Sequence, residues 1–134
     1  MQVLRPEHLH NKCTAIFSEV LVRNETRGYI LAEVADLANT SATRRKGLLG
    51  RAALPDGHAL WIIPCESVHT WFMKFPIDVV YLDRKHRVRK VARAVPPWRF
   101  SMCLQAHSVL ELPAGVAERS GTQPGDQLHF SSRK

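Results

Sequence analysis

Apolar and polar positions alternate along this chain in short stretches, each closed by Gly, Pro or Asn, a pattern that predicts a mainly β domain. Strands are predicted over 14–22 and 29–37, joined by the polar turn 23–28; the imperfect alternation at Leu31 and Asp36 leaves a helix open for the second. Further strands are predicted over 59–63, 68–73, 78–82, 88–95, 108–112 and 127–130. Thr40 or Ser41 can cap a short helix over about 42–50, with Gly47 weakening it and Gly50 suited to end it. A second, of one or two turns, is predicted over 114–120 before Gly121. Gly115 and Gly125 suit positive φ, the latter with Pro124 at the centre of a type II turn.

One hairpin carries most of the chemical information. Pro76 cannot donate to a sheet ladder, which places 74–77 as a connection between strands. In that register Met73 faces Asp78, Trp71 faces Val80 and His69 faces Leu82. His69, Trp71, Met73 and Asp78 then share one sheet face, with Phe72, Val79 and Tyr81 on the other; a one-residue slip inverts the assignment. An imidazole, an indole, a thioether and a carboxylate on one surface describe a small-ligand pocket, with Arg51, Trp98 and Glu111 as candidate neighbours. The competing reading makes Trp71 and Met73 core, and His69 a hydrogen-bonded structural residue. Glu111, alternating with Leu110 and Leu112, is a candidate partner for an arginine.

Composition narrows the setting. At 134 residues, 45% apolar and 23% charged, the chain has the make-up of one ordinary globular domain spanning 1–134, with 1–12 and 131–134 expected to be mobile. No apolar run approaches the roughly 18–20 residues of a membrane helix. Residues 1–11 show no signal-peptide core, and three cysteines form no disulfide framework, so a cytoplasmic location is expected. No heptad or apolar stripe calls for a dimer, and a monomer is expected.

Charge adds a second possibility. Lys and Arg outnumber Asp and Glu by 19 to 12, and 84–99 holds seven basic residues and no acidic one. A smaller cluster, Arg44, Arg45, Lys46 and Arg51, surrounds Gly47 and Gly50. Such runs attract nucleic acid or another polyanion, with Trp98 or Phe100 as a stacking platform. The alternative is a solvated strand face interrupted by Val88, Val91 and Val95, with 96–99 a rigid turn.

Metal and nucleophilic chemistry are less specified. Cys65 and His69, and Cys103 and His107, share a C-x3-H spacing that together supplies a Cys2His2 set, but zinc knuckles favour other spacings. Cys65 near His69, or Ser67 with His69 and Asp78, offers nucleophile and base, without a glycine-flanked elbow. A metal-dependent or hydrolytic enzyme stays open, yet no catalytic residue, metal ligand or cofactor is assigned.

Several segments together resemble a known family. They are Arg45-Lys46-Gly47-Leu48-Leu49-Gly50-Arg51, Pro64-Cys65-Glu66-Ser67-Val68-His69-Thr70-Trp71-Phe72-Met73 and Phe75-Pro76-Ile77-Asp78-Val79-Val80-Tyr81-Leu82-Asp83. Val109-Leu110-Glu111-Leu112-Pro113-Ala114-Gly115 and Pro124-Gly125-Asp126-Gln127-Leu128 follow in order. The chain thus resembles the prokaryotic domain of unknown function 192 family over roughly 23–130. The resemblance implies a compact β-sandwich or partly closed β-barrel with one or two short helices, and no activity. Many members carry a secretion signal, which residues 1–11 do not display. The expectation is a non-catalytic β domain that binds a small ligand or partner around the 68–83 hairpin.

Overall fold

The computed structural model describes residues 19–132. In chain order these form β1 (Glu19–Asn24), β2 (Tyr29–Ala38), α1 (Ser41–Lys46), β3 (His58–Ile62), β4 (Ser67–His69), β5 (Ile77–Leu82) and β6 (Val88–Val95). β7 (Phe100–Met102), β8 (Ser108–Pro113), α2 (Val116–Ser120) and β9 (Leu128–Ser132) complete the order. The fold is mainly β, as the alternation of short apolar stretches predicts.

Seven strands make one sheet in the order β6-β5-β8-β3-β2-β1-β9, and β4 pairs with β7 in a separate two-stranded sheet. Every pairing is antiparallel except β2 with β3, which run parallel from Val34 opposite His58 to Ala38 opposite Ile62. A parallel pair cannot be joined by a tight turn, so 39–57 must cross over one face of the sheet. The large sheet curls into a half-barrel. Its edge strands approach at one end, where Arg87 bridges to Gln127, and the Leu128 amide donates to the His86 carbonyl at 3.0 Å.

Alternation along the strands sends side chains to two cores. Val22, Leu31, Trp61, Val80, Leu110 and Leu128 belong to a cluster drawn from all seven strands, filling the inside of the curl. Leu60, Ile62, Val79 and Tyr81 face outward and are covered by Leu48, Leu54, Val68 and Met73. Truncating a buried leucine such as Leu60 removes about 2–5 kcal/mol from a core of this kind.

Local chemistry explains the helices. Thr40 caps α1 through a reciprocal box, its hydroxyl accepting from the Thr43 amide at 3.1 Å while the Thr43 hydroxyl accepts from the Thr40 amide at 3.0 Å. The helix stops sooner than expected, because Gly47 takes φ 48° and its amide closes on the Thr43 carbonyl; the chain then turns on to Gly50. Gly115, at φ 102°, precedes α2 and offers no side chain to cap it. Asp78 supplies the cap instead, its Oδ2 accepting from the amides of Gly115 at 3.0 Å and Ala117 at 2.8 Å. The turn at 123–126 closes with the Asp126 amide donating to the Gln123 carbonyl, Gly125 lying at φ 99°.

Three expectations are corrected. The hairpin joining 68–73 to 78–82 does not form: β4 ends at His69 and pairs with β7, while β5 pairs with β6 and β8. Thr70 causes the departure, because its buried hydroxyl donates to the Pro96 carbonyl at 2.7 Å and accepts from the Arg99 amide at 2.8 Å. That holds 70–73 in a turn, with the Met73 amide on the Thr70 carbonyl. Second, β7 lies in a stretch where no strand was predicted. Third, Ser131 and Ser132, expected to fray, pair with Leu21 and Val20 of β1. The predicted mobile stretch 1–12 and the start of the first predicted strand lie outside the described residues.

Candidate functional site

The crossover 39–57 and the segment leading into β4 cover the outward face of the sheet incompletely. Between them lies a cavity of about 150 Å³, walled by the end of α1 and the turn after it (44–49), Cys65, Val68, His69 and Met73, with Glu111 also lining it. Glu111 sits on β8 between Leu60 of β3 and Val79 of β5. Those two neighbours are fully buried apolar residues, so the carboxyl stands in a hydrocarbon floor. It is 6% exposed and has no hydrogen bond to any described residue. Burial pushes its pKa up to about 7, against the opposing pull of Arg51. Arg51 itself is held by Asp36 at 3.5 Å and forms no ion pair with Glu111.

The other candidates divide between the cavity and elsewhere. Met73 lies buried against the cavity, and His69 stands exposed at its rim with its ring 4.9 Å from that of Trp71. Trp71 is itself exposed, not core. Trp98 lies apart from the cavity lining, its ring 4.7 Å from Phe72 in an edge-on contact. Asp78 is the clearest correction to the expected shared face. It is 1% exposed, and strand parity puts it with Val80 and Leu82 on the inner face, while His69 and Met73 border the outer one. Its oxygens are occupied by three backbone amides, those of Ala94, Gly115 and Ala117.

These placements bear on the alternative chemistries. With Asp78 facing inward, the Ser67, His69 and Asp78 arrangement does not assemble. Burial pushes the Cys65 thiol pKa up, and its Sγ donates to the Ser67 carbonyl at 3.1 Å. That environment favours thiol over the reactive thiolate. No three His, Cys, Asp or Glu side chains gather as metal ligands among the described residues, so the two C-x3-H pairs do not form one Cys2His2 set there. Several basic residues of 84–99 have structural partners: Arg89 pairs with Asp83 at 3.5 Å, and Lys90 donates to the Met102 carbonyl at 2.8 Å. No helix among the described residues is long and apolar enough to cross a membrane.

The cavity wall also contains residues that strand reasoning did not assign to a ligand site: Arg44, Arg45, Lys46 and Cys65. The basic cluster around Gly47 was visible in the sequence. Its position over Glu111 was not, because that depends on where the crossover lands.

Comparison with known proteins agrees with the resemblance. Residues 22–130 match the family profile DUF192, described as "Uncharacterized ACR". A UPF0127 protein of Thermococcus sibiricus (strain DSM 12597 / MM 739) is 32% identical over 114 residues, covering 80% of this chain and 72% of that protein. One from Thermococcus gammatolerans is 33% identical over 119 residues, covering 82% and 74%. A crystal structure of a Novosphingobium aromaticivorans protein of unknown function superposes with TM-score 0.72 at 25% identity, over 83% of each chain. A Sinorhizobium meliloti 1021 protein, provisionally described as a transcription regulator, shares the fold with TM-score 0.75 at 21% identity, over 89% of this chain and 97% of that one. The profile match spans most of the sequence and each of the motifs quoted above, so the chain belongs to the DUF192 family.

Proposed function

We propose that this protein binds a small polar molecule, without transforming it, in the cavity between Glu111 and the basic end of α1 with the turn that follows it. The observation that carries the reading is the Glu111 carboxyl, buried at the cavity and lacking a hydrogen-bond partner among the described residues. Because this carboxyl lines the cavity without a partner from the described residues, a ligand hydroxyl or ammonium can bond to it, a contact of about 1.5–3 kcal/mol when a charged group takes part. Arg44, Arg45 and Lys46 in the wall favour an anionic substituent at the ligand's other end. His69, backed by Trp71, adds a polar edge at the rim. The non-catalytic part of the reading is supported by the half-buried, hydrogen-bonded Cys65 thiol, whose pKa is raised, and by the inward placement of Asp78.

Native mass spectrometry of freshly purified protein, set against its denatured mass, tests the reading. A stoichiometric excess that vanishes on denaturation, and is absent from a folded Glu111→Leu variant, is the expected result. A bare mass, together with no rise in melting temperature across a panel of small hydroxy and amino acids, overturns it.

A further inference from the structure

Beside the cavity, the two-stranded sheet presents a different surface. Phe72 is 70% exposed, Leu104 73%, Phe100 60% and Trp98 56%, with Trp71 and Met102 also open. Soluble surfaces scatter single apolar residues, whereas these lie together. His69 is opposite Phe100 and Ser67 opposite Met102 in the β4–β7 ladder, so Phe100 and Met102 share its outward face. Trp71 joins through the His69 ring, Phe72 meets Trp98 edge-on, and Leu104 lies on the turn that follows β7.

The patch is held rigidly. Phe72 and Trp98 have φ of 65° and 68°, in the left-handed region that bulky side chains avoid. Both turns are tied to one buried residue: the Thr70 carbonyl accepts from the amides of Met73 and Trp98, and its amide donates to the Arg99 carbonyl. Conformational cost is thereby met within the fold to hold two aromatic side chains in solvent.

The charge around the patch is mainly basic. Segments 67–77 and 84–107, which supply its residues, contain no Asp or Glu and bring Lys74, Arg93 and Arg99 to the surface, while Glu66, opposite Cys103, and Asp83, beside Leu104, are acidic residues at its edge. A second copy docked face to face would set these cations against their own images, so the patch is not self-complementary. An anionic partner fits. Met102 and Leu104 have no ring to stack on a base, and Phe72 and Trp98 cross at 62° instead of forming parallel shelves, which disfavours a single nucleic-acid strand. Apolar side chains surrounded by Lys and Arg match the boundary between acyl chains and anionic headgroups.

We infer that this face, built from Trp71, Phe72, Trp98, Phe100, Met102 and Leu104 with its basic surround, docks peripherally on an anionic lipid bilayer. The aromatic tips enter the headgroup boundary while Lys74, Arg93 and Arg99 meet lipid phosphates. No span is required. The inference does not depend on the cavity being a ligand site.

Flotation of the full chain with two kinds of vesicle tests it: phosphatidylcholine alone, and phosphatidylcholine with about one-quarter phosphatidylglycerol. The expected result is partitioning at least about tenfold stronger onto the anionic vesicles, with a blue shift of tryptophan emission and partial weakening by salt. Phe72→Asn with Trp98→Asn should lose most of that partitioning, since asparagine tolerates the left-handed backbone. Met102→Ser with Leu104→Ser probes the same surface outside the strained positions, with circular dichroism verifying folding. Equal partitioning onto both vesicles, none onto either, or full binding by both folded double variants overturns the inference. Binding of a single-stranded oligonucleotide, lost in the aromatic variant and without vesicle binding, assigns the face to nucleic acid instead.

Discussion

Asp78 and Ala94 are joined side chain to main chain, Oδ1 accepting the Ala94 amide at 2.7 Å where the β6 backbone takes φ 49°. The other carboxylate oxygen holds the first turn of α2. One buried side chain therefore fixes both an irregularity in an edge strand and the start of a helix. Asp78→Ala strands three amides and should cost about 3 kcal/mol or more, read as a lower urea midpoint. Asp78→Asn keeps one acceptor but turns an NH2 group toward amide donors, with an expected loss of about 2 kcal/mol.

Glu111 should make stability fall as pH rises. Its folded pKa, about 7, lies above the ordinary value of 4.5 because burial opposes the charge. Below 4.5 both folded and unfolded chains hold the proton. Between 4.5 and about 7 the unfolded chain releases it first, so the folded state weakens with rising pH; above about 7 the loss is constant. Glu111→Gln should remove this contribution and gain on the order of 3 kcal/mol over the parent at pH 8, with little difference near pH 4. Paired urea titrations at the two pH values measure it.

Asp126 should respond with the opposite sign. Burial raises its pKa, but hydrogen bonds from Arg27, Asn24 and the Gln123 amide outweigh that and hold it below the ordinary carboxylate value. Its stabilisation is complete above the ordinary value and is lost as pH falls through the lowered folded one. Asp126→Asn should cost about 2 kcal/mol at neutral pH, and the gap from the parent should narrow in acid. Thermal melts across the acidic range give the comparison.

Thr70 ties together the turns at 70–73 and 96–99. Thr70→Val keeps the shape but removes the hydroxyl, leaving the Pro96 carbonyl and Arg99 amide without it. A loss of about 2 kcal/mol is expected, with faster proteolysis in 96–99 and altered Trp98 emission. Thr70→Ser restores the hydroxyl and should return all three readouts toward the parent.

The strands were legible because local alternation marks them, and β6 was placed at 88–95 as observed. Their partners were not. Proximity in sequence favoured pairing 68–73 with 78–82, yet Val68 pairs with Ser101. That choice rests on the Thr70 hydroxyl reaching Pro96 and Arg99, a contact with no periodic signature. Asp78 and Glu111 illustrate the consequence for the site. Each is a single carboxylate in an apolar strand, but Asp78 lies opposite Leu112 and Glu111 opposite Val79, so the two project to opposite faces. One finds backbone amides and becomes structural; the other finds hydrocarbon and lines a cavity. Strand pattern alone treats them alike.

The parallel pairing of β2 with β3 separates recognition from architecture. An excursion across the outer face is obligatory once those two strands run the same way, but that topology does not dictate the side chains it carries. The wall residues Arg44, Arg45 and Lys46 belong to this excursion, whereas Glu111 belongs to the ladder. On the binding role proposed above, exchanging the excursion's exposed residues would change which molecules enter while leaving the strand hydrogen bonds in place. Selectivity would then diversify at one end of the cavity against a fixed anchor at the other.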